Sequence, residues 1–198
     1  MRTPMTQPDL IDVLVEDHRE VKALFAELEE GGGGPERRRD VADACIAELV
    51  RHSVAEEQYL YPLARTVLAD GDVLTEHEIA EHAEAELTMK DLEAVPATDP
   101  AFDALVARLI EQIRHHLEEE EGELFPRLRE VCKPEVLQEA GVKVQRAKKI
   151  APTRPHPNAP DHPPWNKLFG PGLGLVDRVR DAVSGRETSP HGVRPDLD

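Results

Sequence analysis

Residues 52–62 read His52-Ser53-Val54-Ala55-Glu56-Glu57-Gln58-Tyr59-Leu60-Tyr61-Pro62, and residues 116–126 read His116-Leu117-Glu118-Glu119-Glu120-Glu121-Gly122-Glu123-Leu124-Phe125-Pro126. The two stretches match in register as H-x-x-x-E-E-x-x-L-aromatic-P, at an offset of 64 residues. The same offset carries His18, in Glu16-Asp17-His18-Arg19-Glu20, onto His82, in Ala80-Glu81-His82-Ala83-Glu84, and Leu28-Glu29 onto Leu92-Glu93. One offset that relates two pairs of segments describes a repeated helical hairpin, and two such hairpins about an approximate twofold axis make one bundle.

Outward from these stretches, apolar residues recur at steps of three and four over four segments, near 8–30, 36–69, 75–95 and 100–131. The breaks have their own chemistry: Gly31-Gly32-Gly33-Gly34-Pro35 cannot continue a helix, Asp70-Gly71-Asp72 is a turn, and the run from Pro96 to Pro100 closes the third segment. Thr75 with Glu78 fits a capping box, and Asp99-Pro100 fits an N-cap followed by proline at the first helical position. Short loops between long helices predict an all-α, antiparallel, up-down four-helix bundle of two repeated hairpins over 8–132. Residues 1–7 read as a disordered N-terminus. Residues 133–198 read as a proline-rich linker and C-terminal tail with a short helix, since 151–164 hold six prolines. The tail's apolar set, Leu168, Phe169, Leu173, Leu175, Val176, Val179 and Val183, predicts a short docked helix or a disordered tail, with a partner or membrane-surface contact as the alternative. Removing 151–198 is expected to change stability little.

The chain has 198 residues and 40 acidic against 24 basic side chains, a formal charge of −16 that argues against nucleic-acid binding. Residues 1–132 carry 32 acidic and 13 basic side chains, whereas 133–198 carry 8 and 11, so an acidic body bears a weakly basic tail. No apolar run approaches the ~20 residues that span a bilayer, and no stable membrane association is expected. The expected location is the cytoplasm. Cys45 and Cys132 lack CxxC spacing and read as buried reduced thiols.

Residues four apart on a helix face the same side, so His52 with Glu56 and His116 with Glu120 each present an imidazole and a carboxylate together. Glu57 and Glu121, one step further, are expected to point mostly away. His18 shares a stripe with Leu14, Val21, Phe25 and Leu28, and His82 shares one with Ile79, Ala85, Met89 and Leu92. Four histidines and two glutamates therefore converge in one interior, where two uncompensated carboxylates would cost many kcal/mol. A pair of metal ions resolves that cost, each ion taking two histidine nitrogens and one oxygen from each bridging glutamate. About two positions of an octahedron then stay open for a bridging oxygen species and an external ligand. A lone interior histidine reads more simply as a satisfied core residue, but four in register with two carboxylates reverse that balance. Imidazole and carboxylate suit iron, manganese and zinc alike.

The pattern H…HxxxE…H…HxxxE over 8–132 resembles the hemerythrin-like HHE cation-binding family. The resemblance implies a four-helix bundle around a non-haem centre of two iron ions, Fe2+ or Fe3+, bridged by an oxo or hydroxo group. It implies dioxygen, nitric oxide or peroxide as the small ligand, and His18, His52, Glu56, His82, His116 and Glu120 as the metal ligands. Oxygen-carrying members place a fifth histidine four residues before the one matching His82, where this chain has Glu78, and an aspartate where it has Glu121. These departures set the chain apart from reversible dioxygen carriers and bring it nearer to the carboxylate-rich di-iron enzymes. Two further readings stand beside binding or sensing: a di-iron oxidoreductase that detoxifies nitric oxide or peroxide, and a metal-free helical interaction module acting through its tail, whose protein partner is unknown.

Other residues have plainer readings. His77 lies about 100° around the helix from His82's face. Glu86 follows His82 by four residues and offers a further carboxylate, but Lys22 holds the equivalent position of helix 1, so Glu86 reads as solvated or ion-paired. Tyr59 and Tyr61 read as packing, or as proton or radical sources near the site. His156, His162 and His191 are too scattered to define a site. His52 precedes the turn at 70 by 18 residues while His82 follows 75 by seven, a misalignment of about 16 Å. Pro62 is therefore expected to kink or end its helix, with 63–74 folding back across the bundle end.

Overall fold

The computed structural model describes residues 7–157 and 165–194, the side chains of 165–171 excepted. The reading of 1–6 as disordered, the linker residues 158–164 and His162 lie outside the described residues. The helices are α1 (Leu10–Glu30), α2 (Gly34–Ala55), α3 (Tyr61–Val67), α4 (Gly71–Ala94), α5 (Pro100–Glu119), α6 (Phe125–Val131), α7 (Pro134–Lys148), α8 (Trp165–Ser184) and α9 (Pro190–Val193). One π-helical turn, Glu56–Leu60, joins α2 to α3, and another, Glu120–Leu124, joins α5 to α6. Among the described residues no helix is long and apolar enough to cross a membrane.

Starts and stops follow local chemistry. Asp9 caps α1 in a reciprocal box with Asp12, and Asp99 caps α5 through the Ala101 amide. Gly31 ends α1 in the left-handed conformation at φ 67°, where a side chain would be strained. The start of α4 differs from expectation. It begins at Gly71, and Thr75 is buried within it, its hydroxyl donating to the Gly71 carbonyl, so there is no Thr75–Glu78 capping box. A Cβ on Gly71 would stand 2.4 Å from the Ala64 carbonyl oxygen. Only glycine lets α4 begin so close to the last turn of α3.

The two π turns precede the two prolines of the repeat. Pro62 and Pro126 have no N–H and crowd the carbonyl four residues back. In each case the aromatic residue before the proline donates across a wider turn, Tyr61 to the Glu56 carbonyl and Phe125 to the Glu120 carbonyl, and the helix resumes. Residues 63–67 thus stay helical and the chain turns at 68–70, rather than folding back over 63–74 as expected. With α3 ending at Val67, 15 residues after His52, and α4 starting at Gly71, 11 residues before His82, the offset between the two histidine levels shrinks to about 6 Å.

The packing closes a ring in which α1 neighbours α2 and α5, and α4 neighbours α2 and α5. Its interior has two apolar layers. One joins Leu24, Phe25, Ile46, Leu49, Met89, Leu92, Phe102 and Leu109; the other joins Leu10, Leu14, Leu60, Tyr61, Ala64, Leu124, Phe125 and Leu128. Each fully buried side chain of this size contributes about 1.5–3 kcal/mol. The polar residues described below lie between the layers.

In the C-terminal third, where an extended linker and either a docked helix or a disordered tail were expected, the chain packs back on the bundle and α8 is docked. α7 lies against α1 and α2, burying Leu137 and Val144, and Gly141 meets the Pro8–Leu10 backbone so closely that a Cβ would overlap it. Residues 151–155 are buried rather than free. Thr153 and Arg154 bond to Asp177 and Asp181 of α8, Arg154 also reaches Glu93, and Arg186 joins Asp43, Glu93 and Asp181. Val193 enters the first apolar layer. Leu175, Val176, Val179 and Val183 stay exposed while Asp177 and Asp181 are buried, so the described part of α8 docks by its carboxylates; the side chains of Leu168 and Phe169 lie outside the described residues.

Truncation after Ile150 strips Glu93 of both its guanidinium partners, Arg154 and Arg186, and leaves Asp43 with Arg39 alone, so it is expected to be destabilising, contrary to the sequence expectation. We predict that Arg186→Ala alone costs roughly 3 kcal/mol and the truncation at least as much, measured as the shift in urea unfolding. Unchanged unfolding of the truncated chain would show that these pairs contribute nothing.

Candidate metal centre

Each bundle helix carries one histidine into the gap between the apolar layers. His18, His52, His82 and His116 are all buried, and Glu56 and Glu120, the first residues of the two π turns, are fully buried among them. The structure thus brings together all six residues singled out by spacing. His18 Nε2 stands 3.2 Å from His52 Nε2, and His82 Nε2 stands 3.1 Å from His116 Nε2. Glu56 spans the two pairs, with Oε1 3.0 Å from His52 Nε2 and Oε2 3.4 Å from His82 Nε2. Glu120 lies across from it, Oε2 being 3.4 Å from His18 Nε2 and 3.8 Å from His116 Nε2.

The outward ring nitrogens explain this orientation. His18 Nδ1 bonds Glu121 at 2.8 Å, His52 Nδ1 bonds Asp17 at 3.3 Å, His82 Nδ1 bonds Glu57 at 3.2 Å and His116 Nδ1 bonds Glu81 at 3.0 Å. Carboxylates accept, so the network assigns a proton to every Nδ1 and turns every Nε2 inward. Glu57 and Glu121 therefore do not point away as expected; each reaches the histidine of a neighbouring helix. The signal was present in the repeat, because the offset of 64 relates Asp17 to Glu81 and Glu57 to Glu121 just as it relates the histidines.

The interior itself is unsatisfied. Neither oxygen of Glu56, nor Oε2 of Glu120, accepts a hydrogen bond, although both side chains are out of contact with water. Glu56 Oε1, for all its closeness to His52, lies off the ring's N–H direction. Buried carboxylates are paired or coordinate metal, and donors this close to one another suit ligands about 2.0–2.2 Å from a common ion. The side chains His18, His52, Glu56 and Glu120 form one such group, and Glu56, His82 and His116 form another.

Two further side chains enter the site. Glu78 is buried with Oε2 2.9 Å from His116 Nδ1, off the N–H direction that Glu81 takes, and it also groups with His116 and Glu120. Burial, with Glu120 and Glu56 adding to it, raises the Glu78 pKa despite His116. The Tyr61 hydroxyl lies 3.2 Å from His82 Nε2 and 3.4 Å from Glu120 Oε1. Burial and the surrounding carboxylates push its pKa well above the usual phenol value, which keeps its proton on. His77 is exposed and pairs with Glu119, Glu86 accepts from the His156 amide, Lys22 pairs with Glu121, and His191 lies near Glu20. None of these enters the buried gap. Cys45 is buried, Cys132 is half-buried, and both are free.

Without a metal, protons balance the charge. Burial favours a neutral His52, but the Glu56 charge and the Asp17 hydrogen bond outweigh it and push its pKa up to about 10. Burial is overcome in the same way at His82, by Glu56 and Glu57, and at His116, well above its usual value, by Glu120, Glu78 and Glu81. A histidine raised in the folded state stabilises fully below its unfolded pKa, near 6.5, and loses that contribution as pH rises through the folded value. The metal-free chain is therefore predicted to lose stability as pH climbs from about 6.5 through 10, and metal loading at neutral pH to release protons. Unfolding midpoints at stepped pH, with and without metal, check both; a metal-free midpoint that rises over this range would contradict the assignment.

Comparison with known proteins agrees with this geometry. The family model of the hemerythrin HHE cation binding domain matches residues 9–128. An uncharacterized hemerythrin-like protein of Schizosaccharomyces pombe is 27% identical over 173 residues, covering 87% of this chain and 85% of that protein. A DNA nickase of Nostoc is 28% identical over 137 residues, 69% of this chain but only 38% of the nickase. Among solved structures, a hemerythrin HHE cation binding domain-containing protein from Mycobacterium kansasii aligns with a TM-score of 0.62 and 25% identity, over 71% of this chain and 85% of its own. The chain belongs to the hemerythrin HHE cation-binding domain family.

Proposed function

We propose that His18, His52, Glu56, His82, His116 and Glu120 hold two iron ions, and that the chain binds, senses or reacts with dioxygen, nitric oxide or peroxide there. The observation that carries the reading is the pair of buried, unsatisfied glutamates faced by four inward Nε2 atoms. Such an iron pair, when bound, supplies redox equivalents and open positions for a small ligand. In this reading His18 and His52 anchor one ion, His82 and His116 anchor the other, and Glu56 and Glu120 bridge them. Asp17, Glu57, Glu81 and Glu121 hold the imidazoles in one tautomer and strengthen them as donors.

Reaction or sensing is favoured over reversible carriage by the groups near His82. Glu78 adds a carboxylate beside His116, and oxygen donors favour the ferric state. Tyr61 keeps its proton beside Glu120 and His82, where it donates to a ligand or a departing oxygen. A role like that of the nickase is disfavoured by the formal charge of −16.

Full-length chain loaded with Fe2+ under anaerobic conditions is expected to change its visible spectrum on mixing with dioxygen, nitric oxide or peroxide, and His52→Ala and His116→Ala to lose the response. Tyr61→Phe is expected to keep its iron but to react with peroxide roughly tenfold more slowly or worse. Many equivalents of peroxide or nitric oxide consumed with an external electron donor would assign the oxidoreductase reading. A loaded wild-type chain inert to all three reagents would contradict the proposal.

A further inference from the structure

Outside the buried centre, α4 and α5 repeat its local motif on the surface. His77 and Glu81 on α4, and His115 and Glu119 on α5, are two H-x-x-x-E pairs with the spacing of His52–Glu56 and His116–Glu120. The helices pack side by side, and both imidazoles aim Nε2 at both carboxylates. His77 Nε2 is 3.2 Å from Glu119 Oε2 and 3.7 Å from Glu81 Oε1; His115 Nε2 is 3.6 Å from Glu81 Oε1 and 3.6 Å from Glu119 Oε1. A relaxed charged hydrogen bond closes to about 2.7–2.9 Å, which none of these contacts does. Ligands about 2.1 Å from one ion in tetrahedral array stand ~3.4 Å apart; the four contacts run from 3.2 to 3.7 Å, the ligand atoms of His77, Glu81 and Glu119 all lie within 4.8 Å of one another, and His115 faces the same two carboxylates.

Charge and access fit the same ion. Two carboxylates with two neutral imidazoles match a dication, and His77 and His115 are 58% and 61% exposed, so an ion needs no opening of the bundle to reach them. Glu81 is tied down from the inside, because its other oxygen accepts from His116 Nδ1. The surface set thus has one ligand pre-oriented by the buried centre. The twofold mate of Glu81, Asp17, faces Lys148 instead and has no such histidines around it.

We propose that His77, Glu81, His115 and Glu119 form a second, surface site for a divalent transition-metal ion, separate from the buried centre. The test uses the full chain expressed with iron, then equilibrated with Zn2+ and freed of unbound metal, with zinc and iron counted by elemental analysis. Wild type is expected to hold one zinc per chain more than His77→Ala/His115→Ala, at equal iron content, and Glu119→Gln is expected to weaken zinc binding at least tenfold. His191→Ala, an exposed histidine elsewhere, keeps the zinc. Equal zinc in wild type and the double variant, with helical circular dichroism unchanged, would overturn the proposal. The readout is a difference between chains that share the buried centre, so it stands whether or not that centre holds iron.

Discussion

The burial of two carboxylates at the middle of the bundle is the constraint on which the rest depends. Glu56 and Glu120 are fully enclosed, and charges in such a place must be balanced. Four imidazoles do the balancing from one side of each helix, and four outer carboxylates hold those imidazoles in turn. Apolar layers above and below stabilise the bundle and keep water from the gap. The π turns belong to the same arrangement: they absorb Pro62 and Pro126, and each begins with one of the two buried glutamates. Metal binding would thus replace a cluster of raised histidine protons rather than fill an indifferent hole.

Among the positions where the two halves of the repeat differ, two fall beside the centre. Leu14 is the mate of Glu78, and Phe125 is the mate of Tyr61. The half containing His18 and His52 is therefore lined by Leu14 and by Phe125 stacked on His18, with ring centroids 5.5 Å apart. The half containing His82 and His116 has a carboxylate and a phenol instead. Farther out, Asp17 leans on the fixed cation of Lys148 from α7, while Glu81 leans on His77 and His115. The two halves of the centre are thus chemically unequal, one walled by apolar side chains and the other by a carboxylate and a phenol.

The bundle and its six converging interior side chains were legible because their signals are local and repeated. Spacing of four residues fixes a helix face, and one offset of 64 ties the faces together. What was missed depends on reach and on tertiary contact. Glu57 and Glu121 seemed to point away because an ideal helix was assumed; long side chains, each one residue into a π turn, reach the neighbouring helix. Thr75 resembled a cap, but the α3 contact at Ala64 lets α4 start four residues earlier, at Gly71. The tail was read through its apolar residues, whereas Arg154, Asp177, Asp181 and Arg186 dock it, and no periodicity announces such pairs.

The central claim is that the six interior side chains hold a pair of iron ions. Its most direct test is iron content together with the visible spectrum of the full chain expressed with iron, beside His52→Ala and His116→Ala. About two irons per chain, with ligand-to-metal charge-transfer absorption that both variants lose, is the predicted result. Zinc or no metal in the wild-type chain, or iron retained equally in both variants, would contradict it.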